Sequence, residues 1–105
     1  MGKEGIISEV KSFRKDIEKD FGVKRMFLFG SAAEGKMGPD SDVDLLVVSS
    51  RFRGKKFFKR AIGMHSYWKL GRPVDFLCYT PEEFQRLRKK VTIVREAVEN
   101  GIEIN

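Results

Sequence analysis

The sequence is poor in residues that form covalent cross-links or soft-metal sites. Its 105 residues include one cysteine, Cys78, and one histidine, His65. A single cysteine excludes a disulfide within the chain and a zinc site built from cysteines. Because Cys78 lies in the apolar run FLCY, we interpret it as a buried structural thiol.

Long apolar segments are also absent. The run from Leu45 to Val48 is far shorter than the roughly 20 residues that span a bilayer. The N-terminal sequence MGKEGIISEV lacks the apolar block of a signal peptide. We therefore expect a cytoplasmic protein without membrane contact. The length fits a single domain over residues 1–105, with no room for a separate substrate domain.

Positive charge is in excess, with 21 Lys+Arg against 15 Asp+Glu and a net charge of +6. Such a surplus permits contact with nucleic acid, nucleotides or an acidic partner, but more often it is only a solvated surface. A basic loop runs from Arg51 to Lys56, and the aromatic residues near it are limited to Phe52, Phe57 and Phe58. Since nucleic acid is commonly held by aromatic stacking, we do not expect a nucleic-acid partner.

Apolar periodicity predicts a helix from Lys3 to Asp20, ended by Gly22, followed by three strands. The strands are expected at Met26 to Phe29, Leu45 to Val48 and Val74 to Tyr79. The apolar stripe of the first helix is Ile6, Val10, Phe13, Ile17 and Phe21.

Further helices are predicted between and after these strands. Ser31 to Gly35 can form one helical turn, and Phe57 to Leu70 is helical by period. Thr80, Pro81 and Glu83 form a capping box that opens a final helix, with Gly101 at its end. The stripe of that helix is Phe84, Leu87, Val91, Val94 and Val98, and Ile102 with Ile104 can add an edge strand.

The order of elements predicts an α/β (α+β) domain with a small mixed β-sheet flanked by helices. The second and third strands are joined through a long crossover, from Ser49 to Pro73, so they are expected to be parallel. The connection between the first and second strands is short, which predicts that these two strands are antiparallel.

Aspartates cluster at the starts of the second and third strands. Asp42 and Asp44 are two apart, so both carboxylates point to one face of the sheet. Asp75 reaches the same end if the two strands are parallel neighbours. Three converging carboxylates repel one another unless a cation compensates. All-oxygen ligands favour Mg²⁺ or Mn²⁺.

Two observations bear on this interpretation. Asp40 and Ser41 could instead make a turn, with Asp42 and Asp44 bonding backbone amides. Gly30 and Ser31 follow a buried strand at a possible helix start, where backbone amides can hold a phosphate. An ordinary helix cap would give the same local pattern.

The stretch GSAAEGKMGPDSDVDLLVV, from Gly30 to Val48, resembles the signature of the nucleotidyltransferases of the DNA polymerase β superfamily. In that signature Gly-Ser precedes Asp-x-Asp, and a third aspartate lies on a neighbouring strand. The resemblance implies the polymerase β-like nucleotidyltransferase fold, with Asp42, Asp44 and Asp75 as catalytic residues and metal ligands. It also implies that Gly30 and Ser31 bind the phosphates of ATP or another nucleoside triphosphate, with Mg²⁺ or Mn²⁺ as cofactor.

The short chain is similar to the minimal nucleotidyltransferases of bacteria and archaea, which transfer a nucleoside monophosphate. Members of that group often pair with a separate all-helical HEPN protein, some as antitoxins that modify a toxin. The resemblance thus implies transfer of AMP to a hydroxyl of a protein partner, and it leaves an oligomer open. Many members carry arginine shortly after the Gly-Ser, whereas this chain has Glu34. Either Glu34 points away from the phosphates and Lys36 or the Arg51 to Lys56 loop supplies the positive charge, or nucleotide binding is weak. The alternatives are a non-catalytic antitoxin that occludes its partner and, more weakly, a basic nucleic-acid adaptor.

Overall fold

A computed structural model of the chain describes residues 2–38 and 41–105. Its helices and strands, in chain order, are α1 (Lys3–Phe21), β1 (Arg25–Phe29), α2 (Ser31–Glu34), β2 (Val43–Val48), β3 (Val74–Tyr79), α3 (Pro81–Leu87), α4 (Ile93–Asn100) and β4 (Ile102–Glu103). Asp40, for which a turn is one alternative, lies outside the described residues. No helix within the described part of the chain is both long and apolar enough to cross a membrane.

The four strands form one mixed sheet in the order β3-β2-β1-β4. β2 and β3 are parallel, with Asp44 opposite Asp75. β1 is antiparallel to both β2 and β4. The predicted mixed sheet, its strand directions and the edge strand near Ile102 are therefore confirmed.

The two faces of the sheet are covered by different elements. On one face the buried stripe of α1 packs with the inward side chains of β1 and β2, among them Leu28 and Leu45. On the other face α3 and α4 bury Phe84, Val94 and Ala97 against Phe27 and other strand residues. Both faces of the central strands are covered, which explains why β2 has an unbroken apolar run. Cys78 of β3 is buried, as predicted.

Local signals account for the ends of the best-predicted elements. α1 ends at Gly22, whose φ of 55° is left-handed. α3 begins with the predicted capping box, in which Thr80 and Glu83 bond each other's backbone amides.

The crossover between β2 and β3 is not the helix predicted for Phe57 to Leu70. It forms three separate 3₁₀ turns at Ser50–Phe52, Phe57–Lys59 and His65–Tyr67. Gly63 lies between the last two turns with φ of 88°, which a continuous helix excludes. Aromatic side chains of this segment still pack on the sheet, since Trp68 lies edge-on to Phe76 at 6.3 Å.

The final helix was predicted as one element and is two. α3 ends at Leu87, and α4 begins after Thr92, whose hydroxyl accepts a hydrogen bond from the amide of Arg95. Val91, which was placed in the buried stripe, is 95% exposed. The break follows from Thr92, whose side chain caps the start of a new helix.

Candidate active site

The candidate site lies at the end of the sheet where β1 ends and β2 and β3 begin. Asp44 is opposite Phe29 of β1 and Asp75 of β3. Asp42 precedes Asp44 by two residues on the extended chain, so it lies on the same side. This is the side on which Leu46 and Val48 pack against α3 and α4. The expected convergence of the carboxylates on one sheet face follows from this register.

The electrostatics of Asp44 support that convergence. Asp44 is half-buried, whereas Asp42 and Asp75 are exposed. Burial raises the pKa of Asp44, and the negative charges of Asp75 and then Asp42 raise it further. The three aspartates are therefore close enough to interact, and the charged form of the central one is disfavoured.

Among the described residues, the turn-based alternative concerns Ser41, Asp42 and Asp44. The amide of Gly38 donates to the hydroxyl of Ser41, and the amide of Ser41 donates to the Gly38 carbonyl at 3.2 Å. Within residues 2–38 and 41–105, however, no backbone amide donates to the carboxylate of Asp42 or Asp44. Backbone hydrogen bonding therefore does not explain two carboxylates at this strand start.

Gly30 connects β1 to α2 and lies against Asp44. Its φ of 73° and ψ of −153° lie in a region open essentially to glycine alone. A Cβ on Gly30 would collide with Oδ2 of Asp44 and lie 3.3 Å from its Cγ. The Gly30 backbone thus packs directly on the Asp44 carboxylate, and the predicted phosphate-binding turn adjoins the predicted carboxylate cluster.

Ser31 and Glu34 form the two ends of α2. Ser31, the first residue of the helix, is half-buried, and Glu34 is exposed on the last turn. Between them Ala32 and Ala33 are buried in the core. The chain direction therefore sets Ser31 beside Gly30 and the strand end, and Glu34 at the far end of the short helix.

Arg72 is a residue of this region that sequence reasoning missed. Its guanidinium donates a 2.9 Å hydrogen bond to the carbonyl of Gly38, and its own carbonyl accepts from the Trp68 indole at 2.7 Å. Arg72 therefore joins the crossover to the loop before Asp42. The sequence offers only a weak signal, because Arg72 stands between Gly71 and Pro73, residues that commonly follow the end of a helix.

A divalent cation was expected at these carboxylates. In the described parts of the chain, no three His, Cys, Asp or Glu side chains are arranged as a metal site. The donor chemistry nevertheless suits a hard cation, since the candidates are oxygen ligands. Burial, and then repulsion from Asp75 and Asp42, raises the pKa of Asp44. The residues fit the ion by type, and Asp44 and Asp75 share a register, but among the described residues the three carboxylates do not form a ready-made set of ligands.

Comparison with known proteins identifies the class. The family model described as "Nucleotidyltransferase domain" matches residues 10–102. The chain belongs to this family, and the resemblance found in the Gly30 to Val48 stretch is confirmed.

The fold agrees with that assignment. A crystal structure of a Sulfolobus solfataricus protein, itself assigned by inference as a nucleotidyltransferase, superposes with a TM-score of 0.67 at 18% identity. The alignment covers 96% of this chain and 80% of that one. No curated protein matches the chain. The similarity in structure shows a shared nucleotidyltransferase-type fold.

Proposed function

We propose that the protein transfers a nucleoside monophosphate, AMP in the first instance, from a nucleoside triphosphate to a hydroxyl group on a protein partner. The observation that carries this proposal is the register of Asp44 with Asp75, beside Gly30. Family membership supports a nucleotidyltransferase in general. The choice of AMP, of a protein hydroxyl and of a HEPN-type partner in an antitoxin pair belongs to the proposal.

Each residue has a role in the proposed reaction. Asp42, Asp44 and Asp75 would hold divalent ions, Mg²⁺ or Mn²⁺, which when bound supply charge neutralisation for the phosphates. Gly30 and Ser31 hold the departing polyphosphate through backbone amides. Asp75, on the exposed edge strand, faces the acceptor and takes the proton from its hydroxyl.

The hydroxyl oxygen forms a bond to the α-phosphorus as the bond to the bridging oxygen of pyrophosphate breaks. The partner brings this hydroxyl into line and excludes water, because a shallow site at a sheet end encloses little of an acceptor. A partner tyrosine is the first candidate for the hydroxyl.

Metal binding tests the carboxylate cluster independently of the reaction. Titration calorimetry should detect Mg²⁺ or Mn²⁺ binding that strengthens with ATP and is lost in Asp42→Asn/Asp44→Asn. Asp16→Asn, which changes an exposed aspartate of α1, is the matched control and should bind as the wild type does. Unchanged binding in the double variant would remove these aspartates from the proposed site.

The transfer experiment combines the protein, a HEPN-type protein from the same genome (the proposed partner), Mg²⁺ and each α-labelled nucleoside triphosphate. Label should appear on the partner as pyrophosphate is released. Asp75→Asn should abolish labelling while the complex still forms, and Asp16→Asn should leave labelling intact. If wild-type protein binds and silences the partner without labelling it, the occluding antitoxin is the correct alternative.

A further inference from the structure

The crossover segment carries a basic and apolar surface, which we call the crossover patch. Phe58 and Ile62 are 74% and 71% exposed, the largest exposures of apolar side chains in this segment. Ile62 lines an open depression with a volume of about 480 Å³. The residues of the crossover patch are Gly54, Lys55, Lys56, Phe58, Lys59 and Ile62.

The crossover patch is held in place by a buried arginine beneath it. Arg60 is 7% exposed, and its guanidinium donates to the carbonyls of Lys55 at 3.0 Å and Cys78 at 3.2 Å. It also forms a two-contact ion pair with Glu83, at 2.5 and 3.1 Å. Because these bonds fix the backbone of the segment, the conformational entropy lost when a partner binds is mainly that of the exposed side chains.

The lysines of the crossover patch are not neutralised by the rest of the molecule. The nearby carboxylates of α3 are already engaged, Glu82 by Arg53 and Glu83 by Arg60. Among the described residues, Lys55, Lys56 and Lys59 form no ion pair. Their charges therefore extend into solvent, where they attract negative groups.

We propose that the crossover patch docks an acidic segment of a partner protein, which inserts an apolar side chain into the depression and sets carboxylates against the lysines. Exposed apolar area framed by free lysines matches a segment that combines both kinds of side chain. Single-stranded nucleic acid is disfavoured because successive bases stack on several aromatic faces, and Phe58 is the single aromatic side chain among the residues of the crossover patch. The depression is lined by aliphatic Ile62, and the ring of Phe57 is engaged by Tyr79 at 5.3 Å.

The crossover patch is separate from the candidate active site. The crossover begins after the carboxyl end of β2, and Phe57 in the crossover contacts Tyr79, which is the last residue of β3. Asp75 lies near the first residue of β3, about 13 Å away along the strand at the usual rise per residue. The proposed docking therefore holds whether or not the protein transfers a nucleotide.

The proposal is tested with a random peptide library displayed on phage. The library is selected for binding to the folded wild-type protein and counter-selected against binding to the variant Lys55→Glu/Lys56→Glu/Lys59→Glu. The enriched peptides should combine Asp or Glu with large apolar residues. A synthetic copy of the best peptide should shift the amide NMR signals of residues 54–62. Its affinity should fall by about tenfold or more in the triple variant and in Ile62→Ser.

Controls use residues of the same type outside the crossover patch. Lys89→Glu/Lys90→Glu changes exposed lysines of the segment between α3 and α4, and Val91→Ser removes a side chain that is 95% exposed. Both should bind the peptide as the wild type does, and thermal unfolding checks that every variant is folded. Enrichment of peptides without acidic residues would overturn the proposal. Tighter binding of oligouridylate at the same amides would also overturn it and assign the surface to nucleic acid.

Discussion

At the scale of single residues, the backbone conformation of Gly30 affects the position of Asp44, a proposed catalytic residue. Its backbone angles suit glycine, and the missing Cβ leaves space that the Asp44 carboxylate fills. Gly30→Ala should therefore displace Asp44 as well as strain the backbone. We expect the free energy of unfolding to fall by about 1–3 kcal/mol, measured by urea denaturation, and metal binding to weaken in calorimetry.

Gly35→Ala is the matched control for that substitution. Gly35 has a φ of 72°, but nothing lies within 4 Å of its potential Cβ. Alanine there bears the cost of the left-handed backbone, about 1 kcal/mol, without touching an aspartate. Equal losses of metal binding in the two variants would contradict the role assigned to Gly30.

At the scale of elements, the Arg60–Glu83 ion pair joins the crossover to α3. Glu83→Gln keeps an acceptor for the capping box but leaves the nearly buried Arg60 without its counter-charge. We expect this variant to lose about 1–3 kcal/mol of stability at pH 7. Glu82→Gln, at an exposed pair with Arg53, should show no measurable loss.

The same pair predicts a pH dependence. The hydrogen bonds from Arg60 hold the pKa of Glu83 below its usual value of 4.5. Stabilisation from this carboxylate is therefore complete above pH 4.5 and is lost as the pH falls through the lowered pKa. Urea denaturation over this range should show the wild type and Glu83→Gln converging in acid. A difference that persists unchanged at low pH would mean that the ion pair is not its source.

Because α3 and α4 are separate helices, Val91 and Val94 differ in burial and should differ in their contribution to stability. Val94 is fully buried, whereas Val91 is 95% exposed. Val94→Ala should cost about 2 kcal/mol, and Val91→Ala should leave the unfolding midpoint almost unchanged. A single helix with both valines in its buried stripe would make the two losses similar.

Elements were predictable where signals are local and agree. Gly22, the Thr80–Glu83 capping box and the apolar run of β2 each specify a boundary or a strand without help from the rest of the fold. The conformation of the crossover was not predictable from the spacing of its apolar residues. Some of those side chains pack on the sheet, such as Trp68, whereas others are exposed, such as Phe58. The crossover's conformation depends on Arg60 reaching Cys78 and Glu83, contacts between segments distant in sequence.

At the scale of the whole molecule, the part of the candidate site that depends only on strand direction was predictable from the sequence. The parallel pairing of β2 with β3 sets Asp44 opposite Asp75, and this pairing follows from the length of the connection. The packing of Gly30 on Asp44 and the link from Arg72 to Gly38 depend on three-dimensional details of the loops. Periodicity in the sequence contains no information about either contact.

The thiol of Cys78 can be used to measure how often the folded protein opens. Cys78 is 2% exposed, and burial raises its pKa to about 12. A disulfide reagent at pH 8 should therefore modify only molecules that have opened, so the labelling rate measures the opening equilibrium. Val94→Ala should speed labelling by about thirtyfold if it costs about 2 kcal/mol. Labelling as fast as that of a free thiol peptide would show that β3 opens independently of the rest of the sheet.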